Sequence, residues 1–110
     1  MGKINLITCI VEKGRGDLVV RAALKEGAQG ATFFNGKGTG VRQTLGITVT
    51  PAKEIILIVT KDEQTDPVFE AVVAAGRLDE KGQGFAYYHS LDRAVGFLEH
   101  YPDEETEADS

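Results

Sequence analysis

Apolar positions along this chain fall into four strand-like runs and two clear helical stretches. Residues Lys3 to Val11 are rich in Ile, Leu, Val and Thr and lack a breaker, which predicts a strand with both faces apolar. Glu12-Lys13-Gly14-Arg15-Gly16 reads as a turn, and Asp17 as the cap of a helix that Gly27 stops. Leu18, Ala22 and Lys25 fall on neighbouring faces of that helix, as do Val19, Ala22 and Ala23. A second strand is predicted over Gly30 to Asn35. Glu54 to Thr60 is apolar on both faces, the pattern of a central strand. Thr65-Asp66-Pro67 predicts a helix start, with Asp66 as cap and Pro67 at the first helical position. Val68, Val72 and Ala75 share one face of this helix, Phe69 and Val73 lie beside it, and Gly76 ends it. Phe85 to His89 is a fourth strand, after which Ser90 can cap a short helix through Leu91, Ala94 and Val95.

The order strand, helix, strand, strand, helix, strand predicts an α+β fold, a ferredoxin-like βαββαβ sandwich with an antiparallel sheet and helices on one face. That architecture hosts metal chaperones, RNA binders, sensors and enzymes, so it leaves function open. Residues 36 to 53 form a long stretch without strong periodicity, closed by Pro51, and connections of this length in a small domain usually carry function.

With 110 residues the chain suits one domain with a real core, predicted over residues 1–98. The net charge of −5 argues against a general nucleic-acid binder. Five of the acids crowd into Asp103-Glu104-Glu105-Thr106-Glu107-Ala108-Asp109, so residues 99–110 read as an acidic, disordered tail. A single cysteine, Cys9, excludes an internal disulfide. Met1 to Asn5 opens no apolar signal region, and with that lone cysteine a cytoplasmic location is expected.

The candidate chemistry lies in two glycine-rich loops beside strands. Gly36-Lys37-Gly38-Thr39-Gly40 follows the second strand, and Lys81-Gly82-Gln83-Gly84 precedes the last. Glycines let a backbone bend sharply and bring bare N–H groups close to an anion, and Lys37, Arg42 and Lys81 add positive charge. The first loop alone reads equally as an ordinary turn or as part of a phosphate cradle, and the second alone reads first as an ordinary connection into the last strand. Lys53 reads as an edge cation or as a phosphate-binding lysine. His89 and His100 stand far apart and give no metal-ligand spacing, and no catalytic constellation is visible, so neither a metal site nor an enzyme is expected.

Four motifs in order over residues 3 to about 98 resemble the PII signalling proteins, and more closely a divergent PII-like branch. Gly27-Ala28-Gln29-Gly30-Ala31-Thr32 resembles the family's Gly-x-x-Gly-x-Thr turn into strand two. Lys37-Gly38-Thr39-Gly40 is similar to the start of the T-loop, and Pro51-Ala52-Lys53-Glu54-Ile55 to its end. Gly82-Gln83-Gly84 resembles the Gly-Asp-Gly of the B-loop.

The resemblance implies a cytoplasmic homotrimer that holds an adenine nucleotide (ADP, ATP or AMP, with Mg possible beside ATP) in clefts between subunits. It places a T-loop at 36–53 and a B-loop at 76–84, and implies that the T-loop regulates a partner, often a membrane transporter. Carried over, Gly38, Thr39 and Gly40 offer N–H groups to phosphates from one side and Gly82, Gln83 and Gly84 from the other. Thr32 then lies near adenine or ribose, and Arg42 with Gln43 matches the family's Arg-Gln pair after one inserted residue. Thr44, Thr48 and Thr50 offer hydrogen bonds to a partner or effector. The chain also departs from the family. Phe85 replaces the B-loop lysine, Gly96 and Leu98 replace C-terminal basic residues, and Ile56 replaces a third-strand acid. The tyrosines are Tyr87, Tyr88 and Tyr101, so the T-loop tyrosine that some members carry modified is missing. A pocket stripped of cations is expected to make ADP or AMP as good a ligand as ATP. The alternatives are a CutA-like trimeric metal-tolerance protein and a small nucleotide hydrolase.

Overall fold

The computed structural model describes residues 3–39, 42–44, 47–49 and 51–96, with the backbone alone described for 42–44 and 47–49. The elements in chain order are β1 (Ile4–Glu12), α1 (Gly16–Lys25), β2 (Thr32–Lys37), β3 (Arg42–Thr44), β4 (Ile47–Val49), β5 (Ala52–Lys61), α2 (Asp62–Gly76) and β6 (Gly84–Ser90). Four strands form one sheet in the order β2-β5-β1-β6, with every neighbouring pair antiparallel. This is the ferredoxin-like arrangement. The short strands β3 and β4 pair with each other in a separate hairpin.

The two central strands are the two most apolar runs, because only they are flanked on both sides by other strands. Along β1, Ile7, Cys9 and Val11 are fully buried. They face Ile56 and Ile58 of β5 and, from the helices, Val19, Ala23, Val68 and Val72. Leu6, Thr8, Ile10 and Glu12 alternate to the opposite face, which no helix covers. Cross-strand register lines that face with Phe34, Ile55, Ile10 and Phe85 in one row and Thr32, Leu57, Thr8 and Tyr87 in the next.

Several local expectations differ from the structure. The α1 N-cap position is Arg15, not Asp17, and no side chain of its own turn caps it. Asp17 instead sits in the first helical turn, 3.8 Å from Arg21. The free N–H of Gly16 is satisfied from across the sheet by buried Glu54, whose Oε1 accepts it at 2.8 Å. Helix α2 begins at Asp62, one turn before the predicted Asp66-Pro67 start. Extended Lys61 ends the strand, its N–H donating to Gln64 Oε1 at 3.2 Å. Pro67 therefore lies inside the helix, where it removes one bond to the carbonyl of exposed Glu63. Gly76 closes α2 as expected, but the left-handed residue that follows is Arg77, at φ 54°. Residues 91–96 form no helix, because the Leu91 N–H donates to Ile4 O at 2.9 Å and keeps the chain tied to β1.

Candidate nucleotide site

Both glycine loops lie at the same end of the sheet. Gly36 pairs with Lys53, Lys53 with Glu12, and Gly84 with Val11, so the end of β2, the start of β5, the end of β1 and the start of β6 share one edge. They are nevertheless on opposite flanks. Two strands separate β2 from β6, a distance of about 14 Å at about 4.8 Å per strand. Thr32 is farther still from the first loop, since it lies six residues before Gly38 along β2, about 20 Å when extended. One chain thus brings Gly38 and Lys53 together, but not Thr32, nor the Gly82–Gly84 loop.

The first loop starts later than its sequence suggests. Gly36 and Lys37 continue β2, and Ala52 and Lys53 open β5, so the connection proper runs from 38 to 51 and contains the β3–β4 hairpin. The Gly38 N–H donates to Pro51 O at 2.8 Å and closes the neck of the loop. In this conformation that amide is engaged rather than presented to a ligand. Thr39 is exposed. Arg42, Gln43 and Thr44 lie in β3 and Thr48 in β4, while Gly40 and Thr50 lie outside the described residues, as does the tail at 99–110.

Beneath that neck Lys53 is held by Glu12, a residue outside every motif named above. Lys53 Nζ donates to Glu12 Oε2 at 2.8 Å, with side chains 24% and 40% exposed. A β-carbon placed on Gly38 would stand 3.1 Å from Lys53 Cε, so this glycine makes room for the lysine stem. The signal for Glu12 was its parity with Leu6, Thr8 and Ile10 along β1. Recognising its partner requires the β1–β5 register.

In the second loop the glycines differ in kind. Gly82 has φ +81° with nothing within 4 Å of a built β-carbon, so its backbone conformation, not packing, favours glycine. Gly84, at φ +153°, would carry a β-carbon 2.5 Å from the Ile10 carbonyl oxygen and 2.8 Å from Leu78 Cδ2. Its identity is demanded by packing. Gln83 N donates to Glu80 O at 3.3 Å. The turn is clasped by Arg77, whose Nε and Nη2 donate to Glu80 at 3.1 and 2.8 Å. That hydrogen bond raises the Arg77 pKa and lowers that of Glu80, with the Arg15 charge acting in the same direction on Glu80.

A cavity of about 430 Å³ opens on the helix-free face, lined by Gly30, Thr32, Leu57 and Val59 and roofed by Leu91 and Ala94–Gly96. Thr32 therefore sits in a mixed polar and apolar recess, separate from the glycine loops. Among the described residues no group of three His, Cys, Asp or Glu side chains gathers to hold a metal ion, and no helix is long and apolar enough to cross a membrane.

Solved structures with this architecture include B. subtilis GlnK in complex with ATP, at 17% identity and a TM-score of 0.65, covering 83% of this chain and 84% of that one. Arabidopsis thaliana PII bound to citrate is 28% identical with a TM-score of 0.60, over 79% of this chain and 76% of that one. A Bacillus cereus protein related to NIF3 matches at 18% identity and TM-score 0.64, over 84% of this chain but only 26% of its own. No curated protein matches the chain significantly. The family model of nitrogen regulatory protein P-II matches residues 4–95, a span that takes in both glycine loops and all four strands of the main sheet. The chain belongs to the P-II family.

Proposed function

We propose that this protein is a homotrimeric signalling protein that binds an adenine nucleotide between protomers and reports it through residues 36–53. The observation that carries the reading is the position of the two glycine loops, at one end of the sheet but on opposite flanks. A loop on the β2 flank of one copy can face a loop on the β6 flank of the next, which a single chain cannot arrange. Phosphates would then meet Gly38, Thr39, Gly40, Arg42 and Lys53 from one protomer and Gly82, Gln83 and Gly84 from another. Thr32, in its own recess, would serve the base or ribose.

The helix-free face supports assembly. Phe34, Phe85 and Tyr87 are 46%, 61% and 42% exposed there, too much apolar surface to leave in water. The ATP-bound GlnK relative supports a nucleotide, and citrate on the Arabidopsis protein supports a site that takes anions. Because Phe85 stands where the family has a lysine, ADP and AMP compete on nearly equal terms with ATP, and Mg accompanies ATP alone. The role is regulatory binding and needs no catalysis. Gln43, Thr44, Thr48 and Thr50 are the contacts for a partner, a membrane transporter being the partner class the family favours, in a cytoplasmic setting.

Calorimetric titration with ATP, ADP, AMP and cyclic AMP, with and without Mg, tests the reading. Binding of at least one nucleotide below millimolar concentration is expected, with loss of affinity in Gly38→Val and Gly40→Val while both variants remain folded. Silence from the whole panel at millimolar levels overturns it.

A further inference from the structure

We propose that Glu12 sets the phosphate-count selectivity of this site by holding Lys53. The inference rests on the nucleotide reading above and adds to it a residue that the glycine motifs do not contain. Glu12 and Lys53 are direct cross-strand partners on the helix-free face, and their charged atoms are 2.8 Å apart. Both side chains are partly shielded from water, so the contact is stronger than between fully solvated ions. Lys53 runs beneath Gly38, the first glycine of the loop, whose N–H is closed on Pro51.

A phosphate arriving at that neck meets a lysine already paired with a carboxylate. The pair has no net charge, so its pull on the ligand is weak until the contact with Glu12 is broken. Glu54, the neighbouring acid on β5, points to the other face and is engaged by Gly16, so it does not relieve Glu12. The penalty grows with the charge that the phosphate chain brings to Lys53. It therefore falls hardest on ATP, less on ADP and least on AMP. Glu12 is a positioning residue that acts through Lys53 and lowers the preference for triphosphates.

The test is a titration of the full chain with ATP, ADP and AMP, without Mg, on wild type, Glu12→Gln, Lys53→Gln and the double variant. Melting temperature monitors folding in each. For Glu12→Gln, about tenfold tighter ATP binding is expected with AMP changed by less than about twofold, the scale of one partly shielded charge pair. The gain should vanish in the Lys53→Gln background. An ATP to AMP affinity ratio unchanged by Glu12→Gln overturns the proposal while leaving nucleotide binding intact. A gain that persists without Lys53 also overturns it, since Glu12 would then act by direct repulsion. If neither wild type nor any variant binds a nucleotide, the underlying function falls and this inference with it.

Discussion

Gly84 and Gly82 stand two residues apart and do different work. A methyl group at Gly84 meets a backbone carbonyl at 2.5 Å and cannot be relieved by a side-chain rotation. We expect Gly84→Ala to destabilise the fold by about 2–3 kcal/mol, read by urea denaturation. Gly82→Ala has open space and carries only the left-handed backbone penalty, about 1 kcal/mol. Cys9 offers a second residue-scale test. Burial in the sheet pushes its thiol pKa up to about 12 from an ordinary 9.0. The unfolded chain therefore loses this proton first as pH rises. The contribution is fully present below pH 9 and declines toward pH 12 by about 1.4 kcal/mol per pH unit. Stability of wild type should thus fall more steeply above pH 9 than that of Cys9→Ala, and a thiol reagent should label native protein only slowly.

At the scale of elements, hydrophobic spacing located all four main strands and both helices, but not how the helices start. Local sequence predicts a cap for α1 at Asp17. Its first N–H is instead satisfied by Glu54, 38 residues away in sequence. Helix α2 starts at Asp62 because its first turn is tied to β1 and β5. Asn5, on β1, donates to Asp62 Oδ1 at 3.0 Å and to Thr65 Oγ1 at 2.8 Å, and Thr60 Oγ1 lies 2.7 Å from Thr65 Oγ1. The Asn5 bonds join residues 57 and 60 apart in sequence and leave no local signature, whereas Asp66-Pro67 is a strong local helix-start signal. Asn5 is 2% exposed, and Asn5→Ala removes the amide donor shared by Asp62 and Thr65, while Thr65 keeps Thr60 and the Lys61 carbonyl, to which it donates at 2.9 Å. A loss of about 2–3 kcal/mol is expected in chemical denaturation. Tyr88 shows the same division of labour. It packs edge-on against Phe69 at 5.2 Å, and its hydroxyl donates to Asp66, a hydrogen bond that raises the phenol pKa.

For the whole molecule, the exposed aromatic edge of the open sheet face is the main unfinished business of a single chain. Along β6, on the side away from the helices, Phe85 lies tilted against Tyr87 with ring centroids 5.5 Å apart, and Tyr87 stacks on His89 at 6.3 Å. If three copies bury this face, light scattering should return three times the chain mass. Ile10→Asp, which places a charge in the middle of the face without touching the helix-side core, should return the monomer and abolish nucleotide binding together. Retention of the trimer in that variant would place the interface elsewhere.

Local sequence was enough for the alternation of strands and helices, the family, the glycine loops and the apolar character of β1 and β5, because each depends on residues close together along the chain. Register could not be read that way. It joins Glu12 to Lys53, aims Glu54 at the Gly16 amide, and sets the two loops on opposite flanks of one sheet end. The same register separates a glycine kept for packing, Gly84, from one favoured by its backbone conformation alone, Gly82. Those distinctions arise only when distant strands lie side by side, because hydrogen bonds and charge pairs act over a few ångströms of space whatever the distance along the chain.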